Sequence, residues 1–168
     1  MRHNRRGFCG DLSFKKKKFE EVLRVKQWLP RKPEEIFPFF CDARNLERIT
    51  PTWLQFHVLS NTDESIQVGQ TIDYRLRVRG IPMKWQSLIE QWVPNECFVD
   101  TQVKGPYKTW HHTHRFIEMK RGTLIVDEVR YEVPGGRLGS VFLGPWIRSD
   151  VTKIFDYRRR MIERIYQE

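Results

Sequence analysis

Apolar and polar residues begin to alternate regularly once the lysine-rich start of the chain is passed. Leu23, Val25 and Leu29 share one parity, and charged residues such as Arg24 occupy the other. Alternation of this kind is typical of a β-strand with one buried face. The pattern therefore predicts a first strand over Phe19–Leu29.

Two short helices are predicted after this strand. Pro33 suits the first position of a helix, and the acidic side chains of Glu34 and Glu35 favour the positive end of the helix dipole. Pro38 removes one hydrogen bond from that helix, so we expect it to be short or distorted. A second short helix is predicted over Arg44–Ile49, because the chain then reaches a Thr-Pro pair.

The middle of the chain alternates in a run of about six segments that are separated by turn residues. The clearest predicted strands are Thr71–Arg79, Ile81–Val93, Cys97–Lys104, Tyr107–Glu118 and Thr123–Val133. Pro134-Gly135-Gly136 predicts a turn that closes the last of them. Because consecutive strands joined by short turns pair antiparallel, we expect a meander.

The last segment changes from a period of two to steps of three and four residues. Its apolar positions are Ile147, Val151, Ile154, Phe155, Met161, Ile162 and Ile165. Arginines, Arg158 among them, largely fill the other side. This pattern predicts a long amphipathic helix of about 20 residues or more. The predicted fold class is therefore α+β, in a single domain over residues 19–168.

Composition is that of a globular protein, with 39% hydrophobic and 30% charged residues in 168. No run approaches the roughly 18 apolar residues that a transmembrane helix needs.

The net charge is +9, of which residues 1–18 supply +6. We expect this segment to be a disordered basic tail, of which residues 1–17 are dispensable for folding. The Lys15–Lys18 run is suited to weak contact with an anionic surface, and the remaining +3 gives no reason to expect nucleic-acid binding.

The cysteines are Cys9, Cys41 and Cys97, an odd number without a Cys-x-x-Cys spacing. Zinc ribbons and disulfide scaffolds carry paired or regularly spaced cysteines. The sequence therefore predicts neither, and a reducing cytoplasm is the expected location.

Several strings stand out along the chain: Asn45-Leu46 with Ile49-Thr50-Pro51 and Trp53-Leu54, Gly105-Pro106-Tyr107 leading into Trp110-x-His112-x-His114-x-Phe116, Gly122-Thr123, Pro134-x-Gly136, and Ile154-Phe155-x-Tyr157-Arg158. Together with the order of predicted elements, they resemble the SRPBCC superfamily, which includes START lipid-transfer domains, Bet v 1-type allergens and polyketide cyclase-like proteins. The closer resemblance is to small bacterial ligand-binding SRPBCC proteins. It spans about residues 20–166.

The resemblance implies a helix-grip fold. In this fold a curved antiparallel sheet of about seven strands wraps around the C-terminal helix, with two short helices between strands 1 and 2 and a cavity between sheet and helix. It also implies non-covalent binding of a hydrophobic or amphipathic small molecule, as a carrier or a sensor. A reaction is not implied, because members of one fold differ widely in function.

A histidine-rich strand carries the residues most suited to chemistry. Period two places His112 and His114 on the same face as the apolar Trp110 and Phe116, and Asp127 shares the apolar face of the next predicted strand. Three roles are open to these residues: hydrogen bonds within the core, an anchor for a ligand head group, and acid–base catalysis in a cyclase, dehydratase or hydrolase. Two histidines and a carboxylate can ligate zinc or iron, but this spacing matches no known motif, so we predict no metal and no cofactor.

Alternation assigns eight residues to the concave side of the predicted sheet, and these are the predicted ligand-binding residues: Tyr74, Leu76, Trp85, Trp110, His112, His114, Asp127 and Tyr131. The sequence favours a binding protein over an enzyme. The alternatives are an enzyme that uses the histidines and Asp127, and a regulatory protein-interaction module. The last of these would expose an apolar patch of several hundred Å², on the order of the largest patches that monomers show.

Overall fold

The computed structural model describes Cys9, residues 19–60 and residues 66–167. The strands in these ranges are β1 (Glu20–Leu29), β2 (His57–Val58), β3 (Thr71–Val78), β4 (Ile81–Val93), β5 (Cys97–Lys104), β6 (Thr109–Met119) and β7 (Gly122–Glu132). The helices are α1 (Pro33–Phe40), α2 (Asn45–Arg48), α3 (Gly136–Phe142) and α4 (Gly144–Gln167), with a 3-10 turn at Thr52–Leu54.

The seven strands form one sheet in the order β1-β7-β6-β5-β4-β3-β2. Every neighbouring pair is antiparallel, and β3 to β7 follow one another as a meander. β1 adds to the far side of β7 over ten residues, from Glu20 opposite Glu132 to Leu29 opposite Thr123. The predicted α+β helix-grip architecture is confirmed.

Helix α4 lies against the sheet through the apolar stripe that the sequence predicts. Val151 and Phe155 pack with Val129 and Tyr131 of β7, while Ile162 belongs to a separate cluster with α1. A third cluster lies around Ile72, Tyr74 and Ile89 of β3 and β4. Among the described residues, the core on the concave side of the sheet divides into three clusters.

Three elements differ from the sequence prediction because each is too short to show a period. The 3-10 turn and the two-residue strand β2 lie in a stretch that carries no alternation. The Pro-Gly-Gly segment turns as predicted, with φ of 87° at Gly135, but it then continues as helix α3. Helix α1, in contrast, is short as predicted: it runs through Pro38 for eight residues and ends at Phe40.

A disulfide between Cys9 and Cys97 corrects the cysteine prediction. The two residues are 88 positions apart, so no local spacing could have indicated the pair. The backbone oxygen of Cys9 also accepts a hydrogen bond from Arg115 Nε at 3.1 Å. Cys41 is free. The cysteine argument for a reducing compartment therefore no longer applies.

The remainder of the predicted basic tail, apart from Cys9, lies outside the described residues. Within the described ranges, none of the helices has both the length and the apolar character that crossing a bilayer requires.

Replacing Cys9 with serine tests whether the start of the chain stabilises the fold. A cross-link that closes a loop of this length contributes about 2–5 kcal/mol, because it restricts the unfolded chain. We expect Cys9→Ser to lower the free energy of unfolding by about this amount in oxidising buffer, measured by urea unfolding. Cys41→Ser is the matched control. Reductant should lower the stability of the wild type and of Cys41→Ser but leave the stability of Cys9→Ser unchanged. If Cys9→Ser lowers the free energy of unfolding by less than about 1 kcal/mol, the result supports the dispensable tail instead.

Truncation of Phe155 tests the contact between α4 and the sheet. Its side chain is 3% exposed and lies in the cluster with β7. We expect Phe155→Ala to cost about 3–5 kcal/mol in denaturant unfolding, the range for a buried aromatic side chain. Phe142→Ala serves as the control, because Phe142 is 69% exposed and its loss should change stability by less than about 0.5 kcal/mol. Equal effects of the two changes would contradict the described packing.

Candidate functional site

A cavity of about 180 Å³ lies where the three core clusters meet, between the concave side of the sheet and helix α4. Strands β3 and β4 supply Leu76 and Ile89, helix α4 supplies Ile154 and Phe155, and the region after α1 supplies Leu46. Most of the wall is apolar.

One wall of the cavity is built from three aromatic rings. The indoles of Trp85 and Trp110 meet edge to face, with centroids 5.2 Å apart and planes at 89°. The Tyr107 ring lies 5.6 Å from Trp85 and 4.8 Å from Trp110. Edge-to-face contacts of this kind add to the energy of burial and restrict each ring to one orientation. The cavity therefore has a pre-formed aromatic wall.

The polar side of the cavity comes from three adjacent strands. Asp100 on β5 lies opposite His112 on β6, and His114 on β6 lies opposite Asp127 on β7. Side chains alternate along a strand, so all four point to the concave face while His111 points to the other face, 4.0 Å from Glu90. The antiparallel register thus places two imidazoles between two carboxylates.

Each carboxylate contacts both histidines. Asp127 Oδ1 lies 3.1 Å from His112 Nε2 and 2.8 Å from His114 Nδ1. Asp100 Oδ2 lies 3.1 Å from His114 Nε2 and 3.6 Å from His112 Nδ1. Two of these contacts are hydrogen bonds, in which His112 Nε2 donates to Asp127 and His114 Nε2 donates to Asp100. The two imidazole centroids are 3.6 Å apart.

The histidines take different protonation states. Burial, reinforced by the charge of His114, lowers the pKa of His112 to about 4. Burial also opposes the charged form of His114, but its contacts with Asp100 and Asp127 outweigh burial and raise its pKa. Burial alone would raise the pKa of each aspartate, and the histidines reverse this and hold both carboxyl pKa values below their usual range. In the state that these shifts favour, His114 is charged and His112 neutral, so the four groups carry one imidazolium and two carboxylates.

Arg158 of α4 completes the charge balance. Its side chain lines the same cavity, with the guanidinium 4.9 Å from the centroid of the Phe155 ring. Burial lowers the pKa of Arg158, opposed by Asp127 and Asp100, but an arginine stays protonated at neutral pH. With this cation the cluster has no net charge. Arg158 Nε is buried and has no hydrogen-bond partner among the described residues.

The predicted ligand-binding residues divide into two groups. Those that line the cavity are Tyr74, Leu76, Trp85, Trp110, His112 and His114. Asp127 lies behind the histidines rather than on the cavity wall, and Tyr131 packs against Trp110, with ring centroids 5.7 Å apart. Asp127 is therefore in position to orient the imidazoles, and Tyr131 to support the aromatic wall.

Sequence reasoning missed two polar residues of the site. Asp100 shares the parity of the inward-facing Phe98, a signal that was present in the sequence. Arg158 lies next to Arg159 and Arg160 in what was predicted to be a solvated face. Its position one turn after the buried Phe155 was the only indication that it faces inward.

A separate surface feature lies at the start of α4 and in α3. Its members are large, apolar and more than half exposed: Leu138, Val141, Phe142, Leu143 and Trp146. The Trp146 ring is covered in part by Arg79, whose guanidinium carbon lies 4.8 Å from its centroid. This is the type of surface that the interaction-module alternative requires.

A family model described as polyketide cyclase / dehydrase and lipid transport matches residues 29–156, which is more than half of the chain. The match includes Asp100, both inward-facing histidines and Asp127, and it ends two residues before Arg158. No curated protein matches the sequence significantly.

Solved structures resemble the fold over most of its length. A protein from Chromobacterium violaceum is 14% identical with a TM-score of 0.66, over 88% of this chain and 98% of that one. Major latex-like protein 151 from Panax ginseng is 14% identical with a TM-score of 0.64, over 89% and 99%. A protein from Thermus thermophilus is 16% identical with a TM-score of 0.62, over 84% and 97%. At these identities the likeness concerns the fold alone.

Replacing Asp127 with asparagine tests how much the buried cluster contributes to stability. The amide keeps the size of the carboxylate but leaves the imidazolium without one of its counter-charges. Breaking a buried ion pair on one side costs about 3–5 kcal/mol, and we expect Asp127→Asn to lose that much in urea unfolding. The same change at Asp42, whose partner Arg44 is largely exposed, should cost less than about 1 kcal/mol. A loss at Asp127 no larger than that at Asp42 would refute the charge arrangement.

Proposed function

The chain belongs to the polyketide cyclase/dehydrase and lipid-transport family of the SRPBCC superfamily, and on this premise we propose that it binds a small amphipathic molecule non-covalently in the cavity. Family and fold support hydrophobic ligand binding in general terms. The observation that carries the narrower proposal is the cavity itself, which has an aromatic wall on one side and a polar cluster on the other. A ligand with an apolar body and an oxygen-bearing head matches this division.

Cavity size limits the ligand. An apolar cavity of about 150 Å³ is known to hold benzene. The space here, about 180 Å³, is slightly larger. It therefore suits a compact body of one or two rings better than a long acyl chain.

Arg158 is the proposed anchor for the head group. Its Nε donor is buried without a partner among the described residues, and an unsatisfied buried donor costs about 1–3 kcal/mol. A carboxylate or other acidic oxygen on the ligand would accept that hydrogen bond. Because the cluster with Arg158 is already neutral, the anion would bind through this local donor rather than through a general positive field.

Binding is favoured over catalysis by the state of the histidines. A general base needs a ring nitrogen within hydrogen-bond reach of the substrate. All four ring nitrogens of His112 and His114 lie within 3.6 Å of Asp100 or Asp127. The enzyme alternative therefore requires a carboxylate to move away first. The exposed apolar residues of α3 support the interaction-module alternative. That alternative, however, assigns no role to the cavity.

Naphthoate is a probe with the proposed size and head group. We expect it to bind saturably and to quench tryptophan emission, because Trp85 and Trp110 lie on the cavity wall. Arg158→Met should weaken naphthoate binding about tenfold or more, since a hydrogen bond to a charged group contributes about 1.5–3 kcal/mol. Binding of naphthalene, which lacks the carboxylate, should not change. If neither naphthoate nor naphthalene quenches the tryptophan emission saturably, the proposal is refuted.

Leu76→Trp tests whether the cavity is the binding site. Leu76 faces the cavity from β3, so the larger side chain should fill the space and block naphthoate at little cost in stability. In a solid core the same change would destabilise the protein by about 1–3 kcal/mol. Arg77→Trp places an indole on the exposed face of the same strand and should bind the probe normally. If Leu76→Trp binds the probe as well as Arg77→Trp does, the probe is bound elsewhere.

A further inference from the structure

The histidine–aspartate cluster has a feature that hydrogen bonding within the core does not explain. His112 Nε2 donates its hydrogen to Asp127. In the neutral imidazole the other nitrogen, Nδ1, then carries a lone pair. That lone pair lies 3.6 Å from Asp100 Oδ2, which is also an acceptor. An acceptor on the buried His112 and an acceptor on the partly buried Asp100 thus lie side by side, and a cation between them would satisfy both.

His114 presents its Nε2 to the same carboxylate oxygen, at 3.1 Å. Taking one atom from each residue, the potential ligand atoms of Asp100, His112 and His114 all lie within 4.8 Å of one another. In a tetrahedral zinc site with bonds of about 2.0–2.2 Å, ligand atoms are about 3.3–3.6 Å apart. The two distances to Asp100 Oδ2, 3.1 and 3.6 Å, are close to this range.

The ring nitrogens that point away from Asp100 lie close to a second carboxylate, that of Asp127. His112 Nε2 and His114 Nδ1 lie 3.1 and 2.8 Å from the same oxygen of Asp127. His114 Nδ1 has no hydrogen bond of acceptable geometry despite this contact, and it is buried. Histidines that bind metals usually donate their other N–H to a carboxylate, which fixes the ring and makes the ligand nitrogen more basic. Here one carboxylate accepts a hydrogen bond from His112 and lies in contact with His114.

We propose that Asp100 Oδ2, His112 Nδ1 and His114 Nε2 form a binding site for a divalent transition-metal ion, oriented by Asp127. Asp100, His112 and His114 line the cavity, whereas Asp127 lies behind them, so the remaining coordination position faces the cavity. Two imidazoles and one carboxylate suit Zn²⁺ or Fe²⁺ rather than Mg²⁺ or Ca²⁺, which prefer oxygen ligands.

The charge of the cluster is compatible with the ion. Binding of the ion displaces the Nε2 proton of His114 to solvent, so both rings are neutral in the metal-bound form. Two carboxylates then neutralise the divalent cation, and Arg158 leaves a net charge of +1. An acidic oxygen of a cavity ligand would be attracted to that charge and to the open position. The inference nevertheless stands without the proposed function, because the ion is held by protein atoms alone.

Titration with Zn²⁺ tests the proposal on full-length protein that carries no affinity tag and has been stripped with EDTA. Calorimetry should show one ion bound per chain. Asp100→Asn and His112→Gln each remove a ligand and should weaken binding by more than about 100-fold, while Asp127→Asn should weaken it by about 10–100-fold. His111→Gln is the matched control, because His111 is on the same strand but faces away, and its affinity should equal that of the wild type.

X-ray absorption of the zinc-loaded wild type provides a measurement that needs no variant. The expected signature is zinc with nitrogen and oxygen ligands only, and with multiple scattering from two imidazole rings. The proposal is wrong if the stripped wild type shows no saturable one-to-one binding, if fewer than two imidazoles bind the ion, or if His111→Gln loses as much affinity as His112→Gln. Naphthoate binding measured in excess EDTA separates the two proposals, since it reports the cavity without the metal.

Discussion

Burial of two carboxylates and two imidazoles on adjacent strands is the constraint on which the rest of the structure depends. An unpaired charge in the interior is too costly to tolerate, so each carboxylate needs the histidines and the histidines need both carboxylates. This pairing holds only when β5, β6 and β7 are in the observed register. Slipping β6 by one residue would turn His112 and His114 outward and break their contacts with Asp100 and Asp127. The pairing of these charged groups therefore requires the observed register of the strands, and that register in turn brings the groups together.

The cavity lies beside the same arrangement. Helix α4 reaches the polar cluster through Phe155, whose ring centroid lies 5.2 Å from that of His112. Val151 and Phe155 contact the sheet on one side of this region, and Ile162 does so with α1 on the other. The space between these contacts is lined by residues from all three core clusters. Its polar part combines strand residues with Arg158 of α4, and its apolar part comes from both the strands and the helix.

Much of this could be predicted from the sequence, for reasons that differ between elements. Long strands such as β3 alternate over many residues, and α4 keeps its stripe over several turns, so each has a strong period. The inward direction of His112 and His114 followed from their aromatic neighbours of the same parity. Alternation also predicts that Asp127 faces the concave side. It does not show whether a side chain on that side reaches the cavity wall, and Asp127 lies behind the histidines instead. The disulfide and the inward turn of Arg158 depend on tertiary contacts that no local pattern records.

The aromatic wall has a spectroscopic consequence. Trp85 and Trp110 lie 5.2 Å apart with their planes at 89°. At this separation the electronic transitions of two indoles couple, and a chiral, fixed arrangement of coupled chromophores gives a pair of circular-dichroism bands of opposite sign. Both rings line the cavity, so the intensity of these bands depends on the angle between them and on what lies against them. The protein thus carries its own optical reporter of cavity geometry, which requires no label and is lost when either indole is replaced by phenylalanine.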